Sequence, residues 1–135
     1  MRELVIIGAG MVGHKMAWAA TNRDEATSQW HVTLIGEESH RPYDRVALSA
    51  LFGTDSPVDL SLPPLDTSQV TSILGEECVS IDRETKSVTT STGRRLDYDA
   101  LVLATGSTPF VPAIEGAAGP GCFTYRSIDL SLIHI

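Results

Sequence analysis

Three short stretches of this chain combine residue types and spacings that could do chemistry. The first is Gly8-Ala9-Gly10-Met11-Val12-Gly13, set directly after the apolar run Leu4-Val5-Ile6-Ile7. Glycines at the first, third and sixth places suit a phosphate cradle: one permits a tight turn, the next lets backbone approach a pyrophosphate, and the third lets the following helix pack on the strand. The helix N-terminus adds free N–H groups and the positive end of its dipole. The second stretch is Gly36-Glu37-Glu38, at the end of the run Trp30 to Ile35. A carboxylate there can accept both hydroxyls of an adenosine ribose and would repel a 2′-phosphate. Glu37 is the first candidate and Glu38 its neighbouring rival. The spacing from Gly13 slightly exceeds the usual ~20 residues, as the polar insertion Asn22 to Gln29 explains. The third stretch is Ala104-Thr105-Gly106-Ser107, small residues ending the run Leu101-Val102-Leu103, where backbone can lie close to a bound flavin nucleotide.

Other reactive side chains form no catalytic set. Arg45, in the segment Arg41-Pro42-Tyr43-Asp44-Arg45-Val46-Ala47-Leu48-Ser49, could pair with a pyrophosphate or be an ordinary surface arginine, and Arg41 is the weaker candidate. His14 is expected to pack on the first helix, and His31, His40 and His134 lack a partner pattern. Cys78 and Cys122 lie too far apart for a C-x-x-C or metal-spaced set, so they are read as unreactive thiols and no metal site is expected. With no Ser-His-Asp or paired-carboxylate arrangement, no side chain is assigned a catalytic role; the chemistry falls to a bound cofactor.

The elements that must position these residues follow from the apolar pattern. Arg2 to Ile7 predicts a buried parallel strand, Met11 to about Thr21 a helix, and Trp30 to Ile35 a second strand, together one βαβ unit with a right-handed crossover. In the helix, Val12, Met16, Ala19 and Ala20 are expected to face the core, with Gly13 and Ala17 allowing close approach. Asn22 to Gln29 reads as a turn. Prolines 42, 57, 63 and 64 break the region from Ser39 to Ser68, which leaves a short helix around Val46 to Phe52. Gln69 to Leu74, Cys78 to Ile81 and Lys86 to Ser91 predict a three-stranded meander, followed by a turn at Thr92-Gly93-Arg94. Ala100 to Ala104 is a further strand, and the prolines and glycines from Pro109 to Gly121 predict a loop. The fold class is therefore α/β: a Rossmann-like, doubly wound parallel sheet, incomplete, with an inserted antiparallel β-meander.

Composition sets the outer limits. One core fits 135 residues. A net charge of −7, from 10 basic and 17 acidic residues, gives no basic footprint for nucleic acid or an anionic membrane surface, so phosphate recognition must be local. No apolar run approaches the ~20 residues of a membrane span. Sparse, unpaired cysteines and the lack of a leader pattern predict a cytoplasmic protein.

Together these motifs carry a resemblance. Gly8 to His14, Tyr43 to Ser49, Tyr98 to Ser107 and Cys122-Phe123-Thr124-Tyr125-Arg126-Ser127-Ile128-Asp129 resemble the N-terminal FAD-binding segment of the pyridine-nucleotide-dependent flavoprotein reductases. Met-Val-Gly-His and Tyr-Asp-Arg-Val-x-Leu-Ser point within them to the large subunit of NAD(P)H-dependent nitrite reductase. The resemblance implies that Gly8, Gly10, Met11, Val12 and Gly13 hold the FAD pyrophosphate, Glu37 the adenosine ribose, and Arg45 the phosphate side of the flavin nucleotide. Cys78 would face the adenine through its backbone, and Ala104, Thr105 and Gly106 would pass beside the cofactor. Ala50 stands where related ferredoxin-type reductases often carry a lysine near the flavin ring, and the redox cysteine pair of disulfide reductases is absent. The implied reaction passes electrons from NAD(P)H through FAD to iron–sulfur and sirohaem centres, where nitrite becomes ammonium in nitrate assimilation, with a small subunit as partner. The NAD(P)H, iron–sulfur and sirohaem sites would lie beyond residue 135. Residues 1–129 would be a partial FAD/NAD(P)-binding domain, inactive alone and at best a weak FAD binder. The hexapeptide 130–135, Leu-Ser-Leu-Ile-His-Ile, is read as a non-native tail. A ferredoxin, rubredoxin or oxygen reductase, an NAD dehydrogenase and a flavin module without turnover are the rival readings.

Overall fold

The computed structural model describes residues 1–22, 29–52 and 58–133. They divide into two units, one of Met1–Tyr43 with Ser61–Gly106, the other built from the described parts of Asp44–Leu60 and Ser107–Ile135. In the first unit β1 (Arg2–Ile7), α1 (Met11–Thr21), β2 (Trp30–Gly36), β3 (Val70–Leu74), β4 (Cys78–Asp82), β5 (Ser87–Thr90), β6 (Arg95–Asp97) and β7 (Ala100–Leu103) follow one another. β1, β2, β3 and β7 form one parallel sheet in the order β3-β2-β1-β7, with Leu4 opposite both Val32 and Ala100. β4, β5 and β6 form a separate antiparallel sheet.

The unbroken apolar run of β1 is explained by cover on both faces of the sheet, since successive side chains point opposite ways. Leu4 and Ile6 pack with Val32, Leu34 and Val70 against Ala17 of α1. Val5 and Ile7 pack with Ile35 against Val88 of β5, with Leu96 and Tyr98 beside them. Burying each large aliphatic contributes about 1.5–3 kcal/mol. The first unit is thus three-layered: helix, parallel sheet, meander.

Two expectations change. Gln69 to Leu74 does not begin the meander: Val70 is buried in the α1-side core, so the strand joins β2 in parallel as an edge of the main sheet. The meander takes Arg95–Asp97 as its third strand, joined to β5 through Gly93, whose N–H donates to the Thr90 carbonyl at 2.9 Å. On α1 the expected close approach of Gly13 and Ala17 holds and Ala20 packs on the core, but Val12 and Met16 stay exposed. Gly13, His14, Ala17 and Thr21 are the buried positions, whereas Val12 is 71% exposed. Close approach at Gly13 rotates the 13-17-21 ridge onto the sheet and leaves Met16, Ala19 and Ala20 beside an apolar recess with Leu4, Trp30, Ala100 and Val102.

In the second unit a 3-10 helix, Arg45–Leu51, replaces the short helix expected at Val46 to Phe52; the Asp44 carboxylate caps it by accepting from the Val46 N–H at 2.9 Å. α2 (Ile128–Ile133) begins before the hexapeptide tail and includes buried Ser131. The Asn22 to Gln29 turn falls mostly outside the described residues, as do Pro57 and His134. No helix among the described residues is long and apolar enough to cross a membrane.

Candidate functional site

The chain winds outward from β1 to β2 and β3, then returns to place β7 on the other side of β1. That reversal opens a crevice at the carboxyl ends of β1 and β7, where open α/β sheets take their ligands. Gly8 leaves β1 there and Ala104-Thr105-Gly106 leaves β7. The two ends touch. Gly8 has φ +114°, and a Cβ on it would lie 2.1 Å from the Ala104 carbonyl oxygen and 3.1 Å from the Thr105 nitrogen. The Ala104 N–H donates to the Ile7 carbonyl at 2.7 Å, which fixes this register. Motifs separated by almost a hundred residues therefore share one wall.

The other glycines divide the work. A Cβ on Gly13 would fall 1.8 Å from the Gly8 carbonyl oxygen and 3.3 Å from Leu34, so this glycine seats α1 on the sheet. A Cβ on Gly10 would meet nothing within 4 Å. Gly10 is the N-cap of α1, brings no side chain to occupy the first amides, and is followed by no acid in the first turn. The N–H groups of Met11, Val12 and Gly13 are thus left in a positive helix end with open space in front, an arrangement suited to a diphosphate. Gly36, to which the sequence assigns no role of its own, completes the wall: its Cβ would lie 2.6 Å from that of Ala9. Its position between Ile35 and Glu37 was the available signal.

Glu37 is exposed one residue beyond β2, and the structure separates it from its rival. The Glu38 carboxylate accepts from the Tyr43 hydroxyl at 2.7 Å, which turns that side chain toward the buried tyrosine. The backbone on both sides of Glu37 is held from the connection between β3 and β4. The Gly75 N–H donates to the Glu38 carbonyl at 3.0 Å and the Glu76 N–H to the Gly36 carbonyl at 3.1 Å. Cys78 follows at the start of β4, partly buried; burial pushes its thiol pKa up, so it stays protonated and poorly nucleophilic at neutral pH.

His14 is buried and donates from Nε2 to the Pro63 carbonyl at 2.7 Å, the packing role expected of it. Arg41 lines a recess of about 230 Å³ with His14, Pro63 and Leu65. Arg45 lies in the second unit. Its Nη1 donates to the Arg126 carbonyl at 2.9 Å, and Arg45, Ser49, Tyr125 and Arg126 share a recess there of about 230 Å³. Arg126 beside Arg45 was not singled out as a site residue, because 81 residues separate them.

The sequence model of the pyridine nucleotide-disulphide oxidoreductases matches residues 2–131. The chain belongs to that family. Within this oxidoreductase family it is 37% identical over 136 residues to the nitrite reductase (NADH) large subunit of Escherichia coli (strain K12), an alignment covering 98% of this chain and 16% of that protein. It is 41% identical over 129 residues to the nitrite reductase [NAD(P)H] large subunit of Klebsiella oxytoca, covering 93% of this chain and 13% of the relative. A solved ferredoxin reductase from Rhodopseudomonas palustris superposes with a TM-score of 0.83 at 29% identity, covering 99% of this chain and 33% of that one. The chain thus spans less than a fifth of the two nitrite reductases and a third of the ferredoxin reductase. The family's name refers to disulphides, yet this segment's two cysteines are both free.

Proposed function

We propose that this chain supplies the FAD-binding part of an NAD(P)H-dependent oxidoreductase of the nitrite reductase type. The observation that carries the reading is the wall where Gly8 abuts Ala104 and Thr105, with the uncapped start of α1 and the open side of Gly10 beside it. An adenosine diphosphate moiety fits these groups: the amides of Met11 to Gly13 would take the diphosphate, the Glu37 carboxylate the ribose hydroxyls, and the backbone at Cys78 the adenine. Ala104, Thr105 and Gly106 offer no bulk that would exclude a second nucleotide half. FAD, when bound, supplies acceptance of a hydride from NAD(P)H and release of its electrons to further carriers. The chain's own residues bind and orient it, and none is assigned a proton-transfer role. Identity to the two nitrite reductases over nearly the whole chain supports nitrite as the final acceptor; iron–sulfur and sirohaem carriers and a nicotinamide site downstream are what the motif resemblance implies. The relatives' being large subunits supports a small partner subunit; a place in cytoplasmic nitrate assimilation is what the motif resemblance implies, and segment 1–129 alone is expected to turn nothing over.

The structural likeness to a ferredoxin reductase favours a second reading, a reductase of a small iron–sulfur protein. The visible spectrum of the gene product extended to the length of the relatives separates the two. Flavin bands with sirohaem and iron–sulfur absorption support nitrite reduction; flavin bands alone support the second reading, and absence of a chromophore overturns the FAD assignment.

A further inference from the structure

We infer that Glu76 is a positioning residue for the adenosine end of the site, tying the meander to the strand end that carries Glu37. This rests on the FAD reading above. The Glu76 side chain is held from three places on or beside the β5–β6 turn. Thr90 Oγ1 donates to its Oε2 at 2.6 Å, Thr92 Oγ1 to the same oxygen at 2.9 Å, and Arg94 Nη2 to Oε1 at 3.2 Å. Thr90 is itself 1% exposed and sits in β5 two residues from Val88, which is sealed against the main sheet. The carboxylate is thus anchored to the best-packed part of the meander. These donors hold it well below the usual carboxylate range, at about 2, so it is ionised throughout the neutral range.

The same residue's backbone N–H, with that of Gly75, holds the carbonyls of Gly36 and Glu38 on either side of Glu37. On its other side, Glu77 continues the tie: its N–H donates to Ser91 Oγ at 3.2 Å and its carbonyl accepts from the Ser91 N–H at 2.8 Å. Cys78 is the next residue. One carboxylate therefore sets the connection from which both Glu37 and the Cys78 backbone take their positions, and Gly75, at φ +76°, lets the chain make this turn. The Glu76 carboxylate is already taken up by Thr90, Thr92 and Arg94. Its effect must pass through Glu37 and the Cys78 backbone, so it must be specific to the adenosine half of a dinucleotide.

The test uses the chain in equilibrium titrations with FAD, ADP and FMN, on the wild type, Glu76→Ala, Glu37→Ala and the double variant, with amide exchange recorded on each. The expected result is a loss of about tenfold in FAD and ADP affinity for Glu76→Ala, the size of one charge-assisted contact, with FMN unaffected. That loss should shrink toward onefold in the Glu37→Ala background, and the Gly75 and Glu76 amides should exchange faster while those of β1 and β2 stay protected. Unchanged FAD and ADP affinity, an equal loss for FMN, a loss that simply adds to that of Glu37→Ala, or unchanged Gly75 and Glu76 exchange overturns the inference. Thr90→Val removes one donor without touching the carboxylate and should give a smaller change of the same pattern. A wild type that binds neither FAD nor ADP overturns the FAD reading itself, and this inference with it, whatever the exchange data show.

Discussion

Alanine at Gly13 and at Gly10 should fail in opposite ways. At Gly13 the added methyl would lie 1.8 Å from the Gly8 carbonyl oxygen and 3.0 Å from its carbon, and backbone cannot rotate away as a side chain can. An ordinary contact needs about 1.5 Å more, so α1 must lift from the sheet at the point where Ala17 and Leu34 are fully buried. Overpacking of this kind costs about 3 kcal/mol at the upper end of its usual range, and the better helix propensity of alanine returns about 1 kcal/mol, for a net loss of about 2 kcal/mol. For a chain of this size that lowers Tm by about 10 °C or a little less and leaves the protein folded. At Gly10 the backbone has φ −82° and ψ −168°, which alanine adopts freely, and the methyl meets nothing within 4 Å. The entropy gained from a stiffer unfolded chain and the slightly poorer N-cap offset one another, so stability should change by less than about 0.5 kcal/mol. The methyl instead occupies the space before the α1 amides, and FAD affinity should fall about tenfold or more. Circular dichroism melts and flavin titrations on both variants read the two effects separately. A Gly13→Ala protein with unchanged Tm, or a Gly10→Ala protein that keeps full FAD affinity, would refute the division of roles.

Further outcomes follow from the same geometry. Glu37→Gln should weaken FAD by about tenfold without altering Tm, whereas Glu38→Gln, whose partner is Tyr43, should act on stability first; paired titrations and melts check this. The depressed pKa of Glu76 makes its contribution complete above the unfolded value of 4.5 and progressively lost as pH falls toward about 2. The Tm gap between wild type and Glu76→Gln should therefore be widest near neutrality and close over that acid window; taking the difference cancels the parallel losses from Asp66 and Asp82, also held low by hydrogen bonds. His14→Phe leaves the Pro63 carbonyl without its buried donor and should cost about 1–3 kcal/mol in urea unfolding.

What was legible in the sequence is what local pattern determines. β1, α1 and β2 announce themselves because a strand buried on both faces is an unbroken apolar run, and the glycine spacing fixes the turn between them. The destination of 70–74 was not legible, since a parallel partner is chosen by distant packing: Val70 joins the α1-side core, and nothing within five residues says so. Arg95–Asp97 is too short and too polar to signal a strand, and only Leu96 packs inward. On α1 the close approach of Gly13 and Ala17 was legible, but hydrophobicity also favoured Val12 and Met16, which stay exposed because steric closeness at Gly13 decides the rotation. In the proposed site, spacing could give the position of the glycine turn before α1 and of the exposed Glu37 after β2. Glu76 could not be read in this way, because its partners lie 14 to 18 residues away across a turn and its role passes through its own backbone.

The wall formed by Gly8, Gly10 and Ala104 to Gly106 is the proposed FAD site. Titrating the chain with FAD and, separately, with NADH, each followed by competition with ADP, tests this most directly. The expected result is saturable, weak FAD binding that ADP displaces, stronger than NADH binding and weakened about tenfold or more in Gly10→Ala. NADH binding more tightly than FAD, or no binding of either dinucleotide, would contradict it.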